Sequence, residues 1–328
     1  MSNKGYAKFL LEIRDLYENL ISTGLCIKLI LPSTGAAASD VYADGNGTAH
    51  SYISSGVLSK TNFESLGGEV EFWSGYGSVD VLITNERMEA MLVRGLKPSD
   101  PTRIIWNPQP VKQYIFTFED DFDGGYVSAD RWTIATDGGT VTIGDAVDGV
   151  AELLTGGTDA DGTTLSSTDE IFKAQTDKNM WFEASVILTE KATDDAIIYV
   201  GLADIATVDL MQDAAGGPAD TLDGIGFYKL AGNLFWEFQT CNATDVNENS
   251  DMVAFVSATQ YKLEFNYDFG DGTTAKVTPY VNGTAYDVVD LTISGMLEMH
   301  VAATCKTSGA QTETLKVDYI RCLTERNW

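Results

Sequence analysis

A chain of 328 residues, 44% hydrophobic and 21% charged, has the composition of packed protein and excludes an acidic disordered tail. Its 48 Asp and Glu against 21 Lys and Arg give a net charge of −27, a surface that repels phosphate and excludes nucleic acid as a partner. No stretch approaches the run of about 18 apolar residues that a membrane-spanning helix needs, and two histidines with four scattered cysteines leave little material for a zinc site or a Cys–His pair.

The chain opens with Phe9, Ile13, Leu16 and Leu20 at helical spacing, joined by Leu10, Tyr17 and Ile21 and interspersed with Glu12, Asp15 and Glu18. This predicts an amphipathic helix over residues 7–21, capped by Gly24, whose apolar face packs on a small sheet or docks on another subunit. Acidic residues within the stretch and the lack of an A-x-A site are unlike a signal peptide. Free thiols are therefore expected at Cys26, Cys241, Cys305 and Cys322, although Cys305 and Cys322 stand in neighbouring strand-like runs. Leu25–Leu31 reads as a buried strand ended by Pro32, and a Gly/Ala/Ser-rich loop follows. YISSGVL, EVEFWS and SVDVLIT alternate as strands of a small antiparallel sheet, whereas the periodicity of ERMEAMLVR fits a helix or a strand.

Four of the seven prolines then fall in KPSDPTRIIWNPQP, which reads as a stiff extended connector. The predicted organisation is an N-terminal α+β module over residues 1–110 and a second domain over 114–328. Charge changes at the same place: 10 basic and 12 acidic residues up to position 113 leave −2, and the remaining 11 and 36 leave −25.

From Tyr114 the chain becomes a succession of short runs rich in Val, Ile, Phe, Tyr and Thr. They are YIFTFEDDF, WTIATD, TVTIGDAV, GVAELLT, NMWFEASVILTE, AIIYVGLAD, GIGFYKLAG, NLFWEFQTC, MVAFVSA, QYKLEFNYD, AKVTPYVNG, TAYDVV, MLEMHVAATC and ETLKVDYIRC. Turn signals such as DGG, VDGV, DADG, LAGN, GDGT and VNGT separate them. So many strands with almost no helix signal predict a mainly β protein with a two-sheet sandwich, and the absence of a fixed period excludes a propeller or solenoid.

The order of these runs resembles the concanavalin A-like lectin/glucanase fold, a jelly-roll sandwich shared with laminin-G modules. The resemblance covers roughly Tyr114–Cys322 and rests on FEDDFDGGYVSADRW, WFEASVIL, DGIGFYKLAGNLFWEF, YKLEFNYD, VTPYVNGT and ETLKVDYIRC. It implies that the first strand, near Phe118–Phe122, pairs with the last, near Val317–Cys322. The acidic, Gly/Thr-rich style behind a small N-terminal module is also similar to virion surface proteins of tailed bacteriophages, which decorate capsids or sit in tail fibres.

Three chemistries follow from the lectin/glucanase resemblance. Glucanases of that family carry Glu-x-Asp-x-x-Glu on one strand, so that alternate carboxylates enter the cleft together. No such run exists here: Glu119 opens the first strand, and Glu183, Glu237 and Glu264 stand singly in theirs, so no enzyme is expected. Calcium, frequent in the lectins, finds weak candidates in Asp120, Asp121 and Asp123, in Asp159–Asp161 and in Asp268–Asp271, none of which matches an EF-hand. A sugar site needs an aromatic face beside amides and carboxylates. Trp132 and Trp181 lie in apolar strands and read as core, but Tyr228 and Trp236 flank the LAGN turn, so one of them faces outward. The sequons at Asn46 and Asn282 are N-G-T turns, and that at Asn242 is read as unglycosylated. His50 and His300 have no acidic orienter nearby in sequence and read as structural.

The expectation is thus a non-enzymatic structural protein, a capsid decoration or head-fibre protein on a virion surface, made in the host cytoplasm. Phe9, Ile13, Leu16 and Leu20 would contact the major capsid protein or another virion subunit, the chain would form homotrimers, and no cofactor is required. The alternative is a tail-fibre adhesin binding a host glycan through Tyr228 and Trp236. A glycoside hydrolase ranks third.

Overall fold

The structure, a computed structural model, describes residues 7–14, 25–30, 41–42, 57–58, 69–74, 79–85, 90–96, 102–105, 115–124, 126–144, 149–176, 178–191, 195–213, 216–219, 221–243, 245–269 and 273–325. Every regular element among them is a strand, apart from one 3-10 turn at Val208–Leu210.

In the first third, β1 (Ala7–Arg14), β2 (Leu25–Ile30), β3 (Val41–Tyr42), β4 (Val57–Leu58), β5 (Glu69–Ser74), β6 (Val79–Asn85), β7 (Ala90–Leu96) and β8 (Thr102–Ile105) form two sheets, ordered β3-β5-β1-β8 and β4-β2-β6-β7. Neighbours are antiparallel except β1 and β8, which run parallel. The helix expected over residues 7–21 is corrected here, because Ala7–Arg14 is strand. Its apolar residues Ala7, Phe9, Leu11 and Ile13 recur with a period of two, and Phe9 and Ile13 satisfy helical and strand spacing alike. Pairing with β5 on one side and β8 on the other buries Leu11 completely. Phe9 and Ile13 therefore belong to a strand and not to a helical docking face, while Leu16 and Leu20 lie outside the described residues. The described part of the expected α+β module is all β. Ala90–Leu96, left open by periodicity, is strand, and Thr102–Ile105 inside the proline-rich connector forms an edge strand, where a preceding proline costs no ladder bond.

The remainder comprises β9 (Ile115–Asp120), β10 (Trp132–Asp137), β11 (Thr140–Gly144), β12 (Val150–Leu154), β13 (Gly162–Ser167), β14 (Met180–Thr189), β15 (Ala196–Ala203), β16 (Asp223–Lys229), β17 (Phe235–Asn242), β18 (Asp245–Ala254), β19 (Thr259–Asp268), β20 (Thr274–Val281), β21 (Thr284–Ala285), β22 (Val289–Thr292), β23 (His300–Thr307) and β24 (Thr314–Glu325). A seven-stranded sheet, β10-β13-β23-β15-β16-β17-β18, packs on a nine-stranded one, β11-β12-β24-β14-β19-β20-β21, to which β22 adds on β20 and β9 on β24. The two-sheet sandwich expected from the strand count is present. First and last strands pair, with Phe118 opposite Cys322. Each predicted run contains a strand; β13, with the polar sequence GTTLSS, was not expected.

Alternation builds the core between the sheets. Phe182, Ala184, Val186 and Leu188 of β14 and Leu263 and Phe265 of β19 meet Val200 and Leu202 of β15, Phe227 of β16, and Trp236 and Phe238 of β17, all fully buried. The central strands of the seven-stranded sheet are buried on their other face as well. Leu210, Met211 and Leu222, from the segment joining β15 to β16, cover Ile197, Tyr199, Tyr228 and Cys241 there. Thr164 Oγ1 donates to the Thr207 carbonyl and Lys306 Nζ to the Met211 carbonyl, pinning this strap to the sheet.

Candidate functional site

Beyond the edge of the strap, the outer face of β16, β17 and β18 carries a group of polar side chains. Because Trp236 and Phe238 point into the core, their alternates Phe235, Glu237 and Gln239 point away from it. Register sets Glu237 opposite Tyr228 of β16, and Gln239 between Gly226 of β16 and Glu248 of β18. Gly226 is required there, since a Cβ would lie 2.5 Å from Cζ of the Tyr199 ring. The β17–β18 register shifts between Trp236 and Phe238, so that Ser250, Asp251 and Met252 bulge opposite Glu237, with Asp251 in the left-handed region at φ 54°. Such bulges re-aim side chains near functional sites.

The Tyr228 hydroxyl donates to Glu248 Oε2 at 3.1 Å, and Asn233 Nδ2 donates to Glu237 Oε1 at 2.6 Å. Asn233 also accepts from the Phe235 amide at 3.0 Å, which ties the turn to the site. Tyr228, Gln239 and Glu237 are only 3%, 5% and 7% exposed, whereas Glu248 and Asp251 reach solvent and Phe235 is partly exposed. Burial above all pushes the Glu237 carboxyl above the usual range. The charges of Glu248 and Asp251 act in the same direction, and hydrogen bonds from Tyr228 and Asn233 offset them only in part. Burial, then Glu237 and Glu248, likewise raise the Tyr228 phenol. The Gln239 amide makes no hydrogen bond within the described protein and its polar atoms reach solvent, so they are open to a ligand.

Trp236, expected beside Tyr228 as a sugar-stacking face, is corrected: it is 0% exposed and packs at 5.6 Å from the Tyr261 ring and 6.3 Å from Phe255. Tyr228 does face away from the core, but it is buried in the cluster under the strap and its hydroxyl is bonded to Glu248. Phe235, not among the expected site residues, is the partly exposed aromatic on that face. The signal was present in F-W-E-F-Q, where the partners of the two core aromatics are one aromatic, one carboxylate and one amide.

The nine-stranded sheet brings together the carboxylates that seemed to stand singly. Glu183 and Glu264 are cross-strand partners on β14 and β19, and Arg321 and Glu119 continue the row through β24 and β9. Lys262 Nζ lies 3.2 Å from Glu183 Oε1 and 2.9 Å from Glu264 Oε1. The second is a charge contact without hydrogen-bond alignment, and Glu264 is wholly buried. Burial pushes the Glu183 carboxyl up, but a 2.6 Å hydrogen bond from Tyr319 and the Lys262 charge outweigh it and hold the group below the usual range.

Asp120 accepts from the Phe122 amide at 2.9 Å and from Trp132 Nε1 at 2.8 Å, so both oxygens brace a turn. The neighbouring Asp121 and Asp123, grouped with it as weak calcium candidates, are exposed. No group of three or more His, Cys, Asp or Glu among the described residues is arranged to hold a metal ion. Asn282 lies at φ 52° in its turn, as read. His300 Nδ1 lies 2.7 Å from the Ser167 carbonyl, and Cys241, Cys305 and Cys322 are buried and form no disulfide among the described residues.

No protein-family model matches the chain, and no curated protein matches it. Among solved structures, it is similar to peanut lectin, at 11% identity and a TM-score of 0.46 over 65% of this chain and 99% of that one. It is similar to a protein of unknown function from Shewanella oneidensis MR-1, at 17% identity and a TM-score of 0.44 over 65% and 87%. It is also similar to the Emp46p carbohydrate recognition domain, at 9% identity and a TM-score of 0.43 over 62% and 94%.

Proposed function

We propose that the sandwich is a non-catalytic carbohydrate-binding module and that its ligand occupies the outer face of β16–β18. What carries the reading is the alternation along β17 of an aromatic ring, a carboxylate and an amide with no partner among the described residues, Phe235, Glu237 and Gln239, beside Tyr228 and Glu248. A sugar presents a C–H face to an aromatic ring and hydroxyls to acceptors and amides, and this strand offers each in turn. Hydrolysis is not part of the reading: Glu183 and Glu264, the carboxylates set opposite each other, share Lys262, and Glu183 is held ionised and unfit to donate a proton. The test is a glycan-array and calorimetric comparison of the full chain with Phe235→Ala and Gln239→Ala. Saturable binding lost in both variants supports the proposal; retention in both overturns it.

A second reading, a virion decoration protein anchored through residues 1–110, draws on the charge asymmetry. A near-neutral first part can approach another protein, while a domain carrying −25 stays soluble and repels its copies. Under this reading the partner is a capsid subunit engaged by many copies, trimers being the expected unit. Deleting residues 1–110 should abolish attachment to the particle and leave the sandwich folded.

A further inference from the structure

We propose that the β16–β18 face selects an amine-bearing sugar, its ammonium group seated among Glu237, Glu248 and the Gln239 amide oxygen. The inference rests on the carbohydrate-binding reading and names the class of sugar. Glu237 of β17 and Glu248 of β18 share this face, with Asp251 in the bulge beside them, and none has a cationic partner within the described protein. The lysines nearest in the sequence and the sheet are committed elsewhere: Lys229 to Glu190 at 2.8 Å on the opposite face of β16, and Lys306 to Asp213 under the strap. Tyr228 and Ser250 donate to Glu248 and Asn233 donates to Glu237, which leaves part of the acceptor capacity of the two carboxylates open.

The ligand should therefore be a donor and a cation. A divalent metal is a poor match, since the described residues hold no metal-competent group of three or more side chains. A primary ammonium carries three N–H donors on one centre, which suits two carboxylates and one amide oxygen. Gln239 gives the independent indication of a ligand. It is 5% exposed, faces the same side as Glu237, and its solvent-reaching amide has no partner among the described residues, which leaves it open to a bound donor. The partly exposed Phe235 ring, two residues along the strand, then meets the sugar's C–H face, which a bare amine would not use.

The test titrates the full chain with the β-1,4-linked disaccharide of glucosamine, its di-N-acetyl counterpart, cellobiose and lysine amide, below the pKa of the sugar amine and at two salt concentrations. Glu237→Gln and Glu248→Gln are compared with Glu298→Gln, a charge-matched control on an exposed site. The expected result is at least tenfold tighter binding of the diamine than of the acetylated or neutral sugar, lost in the two site variants and kept in the control. Equal binding of all three sugars would overturn the charge selection and leave the carbohydrate reading intact. Lysine amide binding as tightly as the diamine would overturn the sugar assignment, as would equal loss in the Glu298 control, which marks bulk attraction to an acidic protein. No binding of any sugar would remove the carbohydrate reading itself.

Discussion

Glu183 and Glu264 face each other across β14 and β19, with Lys262 Nζ 3.2 Å from the first and 2.9 Å from the second. Two carboxylates at one cross-strand position repel, and the wholly buried Glu264 has no other cation among the described residues. Replacing Lys262 by Met keeps its aliphatic stem and removes the charge. A broken buried pair costs about 3–5 kcal/mol, and the solvent access of Lys262 reduces this to about 2–3 kcal/mol. Urea denaturation should show that loss in Lys262→Met and recovery of most of it in Lys262→Met with Glu264→Gln. A Lys262→Met protein as stable as wild type would mean that Lys262 contributes nothing to holding Glu264 in its buried place.

Trp236 and Phe235 are adjacent residues with opposite predicted outcomes. Trp236→Ala removes a fully buried ring and should cost about 3–5 kcal/mol, so any loss of binding would follow from unfolding. Phe235→Ala truncates a partly exposed ring and should change stability by no more than about 1 kcal/mol while weakening the ligand. Thermal melts beside binding isotherms separate the two. A stable Trp236→Ala that no longer binds would make Trp236, and not Phe235, the ring that meets the ligand.

That contrast shows how far residues alone reach. The sandwich was legible because alternating Val, Ile and aromatic runs between Gly-rich turns have few other solutions, and W-F-E-A-S-V-I-L sits at β14 as read. β13 was not legible, since GTTLSS owes its burial to the strap and to hydroxyl partners such as Thr164 with Thr304, at 2.9 Å. The segment 7–14 was misread because Phe9 and Ile13 fit both periods, and only pairing with β5 and β8 decides between them. The site on β16–β18 depends on register: no spacing along one strand reveals that Gln239 stands opposite Glu248 or that a bulge delivers Asp251.

Glu237 gives a pH dependence of definite sign. Its folded pKa lies above the unfolded value of about 4.3, so the folded state binds the extra proton. The associated stability is present below the unfolded pKa and is lost as pH rises through the folded one. Glu183 behaves oppositely: its contribution is present above about pH 4.3 and disappears as pH falls through its lowered folded pKa. Glu237→Gln should therefore raise Tm at neutral pH and flatten the decline of stability above about pH 4.3. A Glu237→Gln protein less stable than wild type at pH 7 would show that its ionised carboxylate is favoured by a partner.

Lys306 links the strap to the site. Its Nζ donates to the Met211 carbonyl at 3.0 Å and pairs with Asp213, and the segment so held packs Leu210 and Leu222 behind Tyr228. Lys306→Met leaves the carbonyl unsatisfied in a buried position, at a cost of about 1–3 kcal/mol that falls on the strap rather than on the sheet. Amide hydrogen exchange should accelerate at Leu210, Ala219 and Leu222, whose N–H groups close the strap's own turns, and remain unchanged in β14 and β19. Ligand affinity should fall with it, because Tyr228 loses the packing that fixes its hydroxyl toward Glu248. Faster exchange with unaltered affinity would show that the sheet alone positions Tyr228.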